Sequence, residues 1–276
     1  MAVLLALAAA AVYGAADFFG GVASRRMPAA AVVLLSQIAG VVVLAGAWLL
    51  LPGRFYASDI GWGIAAGIAG SIAIAALYAA LAVGRMGVVS PITAVIGASV
   101  PVVAGFLFGE RPGALAFAGV ICAFVAVALV SANAETRRVS VREPGVALAL
   151  VSGLGIGALY VLLGHGQRDA GLARLAITRA TSVVLLFGYA LVRRESLRPA
   201  PGSLRVILGA GACDMAANVL YIASTRYGLL AVVAVLTSLY PASTVFLARI
   251  VLDERLTRSQ WVGVAVAACG VVLIAI

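Results

Sequence analysis

The sequence predicts an all-α integral membrane protein with ten transmembrane helices arranged as two inverted five-helix repeats. Three observations lead to this fold class: the composition, a series of apolar segments, and a likeness between the two halves of the chain. Of 276 residues, 64% are hydrophobic and 11% are charged, and the mean hydropathy is +1.17. Soluble domains are about half apolar and about a quarter charged, so this composition indicates a chain surrounded by lipid.

Ten apolar segments are separated by charged residues or by glycine and proline. Each is close to the roughly 20 residues that a helix needs to cross the hydrocarbon core, and none alternates like a barrel strand. A polar segment at 134–143 separates a first repeat, 1–133, from a second, 144–276. The predicted spans, numbered 1 to 10, are 2–22, 29–51, 60–83, 88–108, 114–131, 144–164, 171–192, 203–225, 228–250 and 258–276.

The two halves resemble each other in sequence. With an offset of 144 residues, 84–132 aligns with 228–276 without a gap, and 14 of the 49 positions are identical. A Glu-Arg pair recurs at the start of the fifth span of each half, as Glu110-Arg111 and Glu254-Arg255. An odd number of spans per half inserts the second half upside down, which is the arrangement of carriers whose halves exchange conformations.

The composition excludes several kinds of chemistry. All 19 basic residues are arginine, so neither a phosphate-binding loop with its lysine nor a Schiff-base lysine is possible. The three cysteines lie inside apolar segments without metal-binding spacing. The arginines lie mostly in short loops, where they indicate contact with lipid headgroups rather than nucleic acid. We therefore predict no enzymatic activity, no catalytic residues, no cofactor and no metal site.

Charged side chains inside the spans need a reason, because a charge at mid-bilayer costs several kcal/mol unless it is paired or hydrated. Asp17 in span 1, Arg179 in span 7 and Asp214 in span 8 are the three candidates. Spans 7 and 8 are antiparallel neighbours, so we predict an Arg179–Asp214 ion pair. This pair is either structural, or it leaves Arg179 to receive a substrate carboxylate or phosphate.

Span 8 carries a polar stripe, and span 1 a carboxylate. Asp214, Asn218, Tyr221 and Thr225 lie at i, i+4, i+7 and i+11 and share one face, which lines either a wet cavity or a hydrogen-bonded seam between helices. Equivalent positions in the first half (Gly70, Ile74, Leu77 and Leu81) are apolar, so the site is asymmetric. Asp17 lies one turn from Tyr13 and is either a proton carrier or cation ligand, or a side chain solvated at the helix end.

Helix-breaking residues occur at matching places in spans 4 and 9. Pro91, Gly97 and Pro101 are expected to interrupt span 4, and Pro241, aligned with Gly97, to interrupt span 9. Paired interruptions mark the binding sites of carriers, or they are kinks that only shape the packing. Small residues such as Gly63 with Gly67, and Gly153 with Gly157, predict close helix contacts.

These features resemble an EamA-type member of the drug/metabolite transporter superfamily. The resemblance rests on the ten-helix, two-repeat plan, on Tyr13-Gly14-Ala15-Ala16-Asp17-Phe18, on the two Glu-Arg pairs and on Tyr240-Pro241. It implies export or exchange of metabolites through a cavity lined by spans 1–4 and 6–9, with spans 5 and 10 peripheral. The candidate substrate-binding residues are Tyr13, Asp17, Gln37, Tyr78, Thr93, Tyr160, Arg179, Asp214, Asn218, Tyr221, Thr237 and Tyr240.

The function that the sequence predicts is alternating-access transport, as an exporter or exchanger, of a small polar metabolite such as an amino acid or amine. Charges of both signs favour a zwitterion, and Asp17 or Asp214 offers coupling to protons. The expected partners are the small-molecule substrate, the lipid bilayer and protons; we expect a monomer in the bacterial inner membrane. The alternatives are a non-transporting membrane scaffold, a membrane enzyme and a channel.

The orientation has two competing interpretations. Loops after odd-numbered spans hold eleven arginines, and loops after even-numbered spans hold at most five, with Arg174 at an edge. Since cytoplasmic loops are enriched in basic residues, this count places both termini outside. The family that the chain resembles has both termini in the cytoplasm.

Overall fold

A computed structural model of the chain describes residues 1–50, 54–84, 86–130, 145–164, 172–252 and 258–275. All the regular structure in these residues is helical. The predicted segment 134–143 and the Glu254-Arg255 pair lie outside the described residues. The helices are α1 (Ala2–Ser24), α2 (Ala29–Leu50), α3 (Ala57–Val83), α4 (Met86–Leu107), α5 (Ala114–Val130), α6 (Val146–Gly164), α7 (Ala173–Arg193), α8 (Leu204–Thr225), α9 (Leu230–Thr237), α10 (Tyr240–Leu252) and α11 (Arg258–Ala275).

The helices lie where the apolar segments predicted them. Within the described residues, six helices (α1, α2, α3, α6, α7 and α8) are long and apolar enough to cross a membrane, and shorter apolar helices accompany them. Large apolar side chains such as Leu49, Leu107 and Val192 stand exposed on the outer surface. Because a surface of this kind is unstable in water, the protein is an integral membrane protein.

The predicted span 9 is broken, and the predicted span 4 is not. Span 9 forms α9 and α10, which are separated at Ser238 and Leu239, just before Pro241. Proline has no N–H and its ring clashes with the carbonyl of the preceding turn, so it begins a new helix more readily than it continues one.

Helix α4, by contrast, runs unbroken from Met86 to Leu107 through Pro91, Gly97 and Pro101. The expected interruption of span 4 is therefore wrong. Each proline removes one backbone hydrogen bond, and membrane helices tolerate that loss where a neighbouring helix packs closely. Helix α6 packs against α4 in this way, because Gly153 and Gly157 bring its backbone against Ile96, Val100 and the Gly97 carbonyl.

Helix packing is reciprocal between the two halves. Helix α1 packs on α8 as α6 packs on α3, and α2 packs on α8 as α7 packs on α3. In the same way, α4 packs on α6 as α9 and α10 pack on α1, while α5 and α11 pack mainly on each other. Exchanging the halves therefore reproduces the same set of contacts, with α5 and α11 at the periphery.

The packing register fixes the direction of α6 relative to the first half. Gly145, just before α6, faces Ala80 and Gly84 at the end of α3, whereas Gly155 faces Ala69 and Ala73, which lie earlier on α3. These contacts on α3 are 11 residues, or about three turns, apart, and they run backwards along α3 as α6 runs forwards. Helices α3 and α6 are therefore antiparallel. Since helices joined by short connections alternate in direction, α3 runs with α1, and α6 runs opposite to its counterpart α1.

Glycines allow the two halves to approach closely. Gly63 and Gly67 on α3 face Ile177 and Thr181 on α7, and a Cβ atom at either glycine would lie closer than 3 Å to these side chains. Together with the Gly153 and Gly157 contacts on α6, this confirms the predicted small-residue faces. The close packing positions the polar side chains of α7 and α8 against the first half.

Candidate functional site

The predicted ion pair between α7 and α8 is present. Arg179 Nη2 donates a hydrogen bond of 2.8 Å to Asp214 Oδ2. Arg179 is 5% exposed, and the Asp214 side chain is 14% exposed. The two charges therefore neutralise each other in the interior, as the neighbouring spans predicted.

The polar stripe of α8 faces the protein interior along its length, but its two parts differ. Asn218 Nδ2 donates to the Asp214 backbone carbonyl (2.8 Å) and to Asp214 Oδ1 (3.3 Å), which holds the carboxylate in place. Tyr221 stacks on Tyr160 of α6 (ring centroids 4.6 Å apart) and donates to the Tyr160 carbonyl. Thr225 bonds to the backbone of its own helix. The stripe thus begins at a hollow and continues as a seam between α8 and α6.

Two adjoining hollows lie between the halves, with the side chains of Ile74, Leu159 and Asp214 on the walls of both. The polar side chains of the first, which we call the arginine hollow, are Gln37, Thr178, Arg179, Ser182, Asp214 and Asn218. Those of the second, the tyrosine hollow, are Tyr13, Asp17, Tyr160, Asp214 and Tyr240.

The hollows are asymmetric in the way that the repeat predicted. Gly70 and Ile74 of α3 are the counterparts of Asp214 and Asn218 of α8, and all four line the arginine hollow. One side of the centre is therefore polar and the equivalent side is apolar. The second half therefore contributes most of the polar side chains that line the two hollows. The exceptions, from the first half, are Tyr13, Asp17 and Gln37.

Asp17 is a buried carboxylate, 7% exposed, on the wall of the tyrosine hollow. In the described part of the chain, no side chain donates a hydrogen bond to it or forms an ion pair with it. Arg25 and Arg26, two turns further on, are exposed to the outside. Asp17 is therefore buried inside the helix bundle, and the interpretation that it is a side chain solvated at the helix end does not hold.

Side chains on the walls of both hollows carry buried polar atoms without partners. Among the described residues, Arg179 Nε and Gln37 Oε1 have no hydrogen-bond partner, and both side chains line the arginine hollow. The same holds, within the described ranges, for the phenolic oxygens of Tyr13 and Tyr240 at the tyrosine hollow. Because most buried polar groups are hydrogen-bonded, such a concentration indicates places that a ligand or water occupies.

Four of the predicted binding residues lie in the helix packing instead. Tyr78 Oη contacts the Ala16 carbonyl at 3.5 Å, and its ring packs against Gly20. Thr93 donates to the Ala149 carbonyl of α6 at 3.4 Å. Thr237 is buried at the end of α9, next to the break, and Tyr221 lies in the seam described above.

Sequence reasoning missed a second buried ion pair, between α3 and α7. Arg174 donates to Asp59 Oδ1 through Nε (3.0 Å) and Nη2 (2.6 Å), and through Nη1 to the Leu163 carbonyl (2.7 Å). Asp59 and Arg174 are 1% and 5% exposed and line neither hollow. Arg174 is therefore not a loop arginine, although it was counted at a loop edge for the orientation.

Glu110 connects the two halves at a helix end. Its carboxylate accepts hydrogen bonds from the backbone N–H groups of Leu230 (2.8 Å) and Ala231 (3.0 Å), at the start of α9. A carboxylate at a helix N-terminus satisfies otherwise free N–H groups and complements the helix dipole. The repeated Glu-Arg pair signalled this residue, but its contact with the other half was not predicted.

Comparison with known proteins gives one family and one fold. The model of the EamA-like transporter family matches residues 1–132 and 143–276, once per half. A solved crystal structure of a protein aligns with 99% of this chain and 96% of its own, with a TM-score of 0.77 and 16% sequence identity, which is a likeness of fold alone. No curated protein matches the chain.

Proposed function

The chain belongs to the EamA-like transporter family of the drug/metabolite transporter superfamily, and on that premise we propose that it moves a small polar metabolite by alternating access. The cargo is of the class of amino acids and amines, and the protein works as an exporter or exchanger coupled to protons. It does so as a monomer in the bacterial inner membrane, without a cofactor and without enzymatic activity.

The proposed architecture is ten spans in two inverted repeats, 1–133 and 144–276, joined by the polar segment 134–143. In this arrangement α9 and α10 together form one broken span. The two separate matches to the family model support the division. The reciprocal packing and the antiparallel register of α3 and α6 support the inversion.

One observation carries the proposal: three charged side chains from both halves meet at hollows in the centre of an apolar helix bundle. Asp17 comes from the first half, and Arg179 and Asp214 come from the second. Buried charges are costly in a membrane protein and are kept where they serve a substrate or ion pathway. A scaffold without a transport function needs no such centre.

The broken span supplies the mobile part of the mechanism. Tyr240 begins α10 directly after the break and lines the tyrosine hollow, while the start of α9 is held by Glu110 across the halves. Rotation at the break changes the position of Tyr240 without unwinding either helix. Rocking of one half against the other then opens the hollows to one side of the membrane at a time.

Protons are the proposed coupling ion, and Asp17 is the proposed carrier. A buried carboxylate without an ionic partner is stabilised by taking up either a proton or a cation. Exchange of one for the other between the two sides of the membrane couples cargo movement to a pH gradient. The Arg179–Asp214 pair holds the opposite wall of the tyrosine hollow in place during this exchange.

The experiment is transport by purified protein in proteoliposomes, preceded by a thermal-shift screen of amino acids and amines. We expect at least one compound of these classes to raise the unfolding temperature and to cross the membrane. An imposed pH gradient should change its rate. Compounds that bind but never cross would support a scaffold, and a flux that ignores the gradient would remove proton coupling.

A further inference from the structure

The charges of the central site do not cancel. Arg179 and Asp214 form a 2.8 Å ion pair and together contribute no net charge. Asp17 has no ionic partner among the residues that the structure describes, and it lies on the same hollow as Asp214. The centre therefore carries one surplus negative charge when Asp17 is ionised. A cargo of net charge +1 neutralises it, and a zwitterion of net charge zero does not.

The acceptors in the tyrosine hollow match a specific group. Asp17, Tyr13 and Tyr240 line the same hollow. Within the described residues, the two phenolic oxygens are buried without a partner. They give three acceptor groups, and a primary ammonium carries three N–H donors and no acceptor. A quaternary ammonium has no N–H and would leave the buried oxygens unsatisfied.

The ring arrangement of this hollow also suits a cation. The rings of Tyr13 and Tyr160 are tilted by 51° with their centroids 6.1 Å apart, and Tyr160 is supported from behind by stacking on Tyr221. Tyrosine rings held in this way stabilise a desolvated cation placed over them. The tyrosine rings and the Asp17 carboxylate therefore both attract a positively charged group.

The arginine hollow carries no surplus positive charge for a carboxylate. Its cation, Arg179, is neutralised by Asp214, so a carboxylate bound there would add a second surplus negative charge to the centre. Two buried atoms of its walls have no hydrogen-bond partner within the described chain: Arg179 Nε, a donor, and Gln37 Oε1, an acceptor. A hydroxyl group or a water molecule, which both donates and accepts, satisfies both.

We infer that the cargo is a primary amine without a compensating carboxylate, and that Asp17, Tyr13 and Tyr240 bind its ammonium group. This inference rests on the proposed transport function and narrows its substrate class. It replaces the zwitterion that the mixed charges of the sequence favoured, because Arg179 is already neutralised by Asp214.

The test compares matched compounds on the purified protein. Primary amines of two to six carbons are measured beside their N-trimethyl analogues and beside the amino acids that carry the same amine and an added carboxylate. Binding is read by thermal shift and calorimetry, and flux by counterflow in proteoliposomes. We expect at least one primary amine to bind at least about tenfold more tightly than both compounds it is compared with. The N-trimethyl analogue leaves buried oxygens without a donor, and the amino acid adds a negative charge that no group in the centre neutralises.

Variants assign the binding to the named residues. Asp17→Asn should abolish amine binding, and Tyr13→Phe and Tyr240→Phe should each weaken it by about tenfold or more, because each loses an acceptor for a charged donor. Tyr189→Phe, which removes the hydroxyl of an exposed tyrosine away from both hollows, should bind the amine normally. Correct folding of each variant is checked by its unfolding temperature and its elution as a single species.

The outcomes separate this inference from the proposed function. Amino acids or N-trimethyl compounds that bind and cross as well as primary amines, or better, would overturn the inference and leave the transport function intact. Undiminished amine binding in Asp17→Asn would overturn the inference in the same way. If no compound of any class crosses the membrane, both fail.

Discussion

Helix α7 contributes the arginine of two buried arginine–aspartate pairs. The two arginines are five residues apart, and their hydrogen bonding differs. Arg174 uses all three of its guanidinium nitrogens, two on Asp59 and one on the Leu163 carbonyl, in a place that lines neither hollow. Arg179 reaches Asp214 through Nη2 alone, and its Nε, among the residues described, has no partner.

The difference is the one expected between a structural pair and the pair that we propose faces the cargo. Removing a partner from either pair leaves a buried charge, but only the second pair lines the hollows. Asp59 Oδ2 also lacks a hydrogen-bond partner among the described residues, yet Asp59 lines neither hollow. Asp214 is also the more exposed carboxylate, 14% against 1% for Asp59. The bonding of the arginine and its place at the hollows therefore distinguish the two pairs, which share the same chemistry.

Arg174→Ala should have the largest effect on stability. It leaves Asp59 buried without its ionic partner, which costs about 3–5 kcal/mol, and it removes the bond to the Leu163 carbonyl. Unfolding in detergent by heat or denaturant measures the loss. Arg205→Ala, which removes an exposed arginine of α8, is the control and should be neutral. An unchanged unfolding temperature in Arg174→Ala would show that the first pair is not structural.

Arg179→Ala should abolish transport and lower stability by less than Arg174→Ala, because the more exposed Asp214 can be hydrated from the hollow. The double variant Arg179→Ala/Asp214→Ala removes both charges and should recover most of the stability. Transport should stay lost, because the Arg179 Nε donor and the Asp214 wall of both hollows are gone. Restored transport in the double variant would mean that this pair is structural as well.

Glu110→Gln extends the comparison to a carboxylate that binds a helix end instead of an arginine. Leu230 and Ala231 donate to different oxygens of Glu110, and an amide replaces one of these oxygens by an NH₂ group, so one of the two bonds is lost in this geometry. The dipole contribution of the charge is lost as well. We expect a loss of about 1–2 kcal/mol. Amide hydrogen exchange should show faster opening at the start of α9. Equal exchange in the variant and the wild type would remove Glu110 as a contact between the halves.

Asp17→Asn should have the smallest effect on stability and should not lower it, because it replaces a carboxylate without an ionic partner among the described residues by a neutral amide. The pH dependence of transport should disappear with it. The groups that face Asp17 are Tyr13 on α1, Tyr78 on α3, Tyr160 on α6, Asp214 with its partner Arg179, and Tyr240 on α10. A pH profile that stays the same as that of the wild type would assign the proton to another group.

Hydropathy was sufficient to predict the helices, because a chain surrounded by lipid needs long apolar segments whose backbone hydrogen bonds are satisfied within each helix. The position of the break in span 9 also followed from Pro241, because proline removes a specific backbone bond. The continuity of α4 did not follow from its prolines. It depends on the close approach of α6 through Gly153 and Gly157, which is a tertiary contact that local sequence does not contain.

The candidate site could be predicted where its residues lie on helices that follow each other in the sequence. Arg179 and Asp214 are 35 residues apart on consecutive spans, so their pairing could be predicted. Asp59 and Arg174 are 115 residues apart in different halves, and each lies near a helix end where a charge looks ordinary. The hollows themselves were not predictable, because part of their walls consists of apolar side chains such as Ile74 and Leu159 that resemble every other core residue.

The most direct test of alternating access is the chemical accessibility of Ile74, which lies on the wall of both hollows. Ile74→Cys is made in a chain whose Cys122, Cys213 and Cys269 are replaced by alanine, and a membrane-impermeant thiol reagent is added to right-side-out and to inverted vesicles. We predict labelling from both sides, and none from either side for Ala66→Cys, which is fully buried two turns earlier on α3. Labelling of Ile74→Cys from only one side, or from neither, would contradict a centre that opens alternately to the two sides of the membrane.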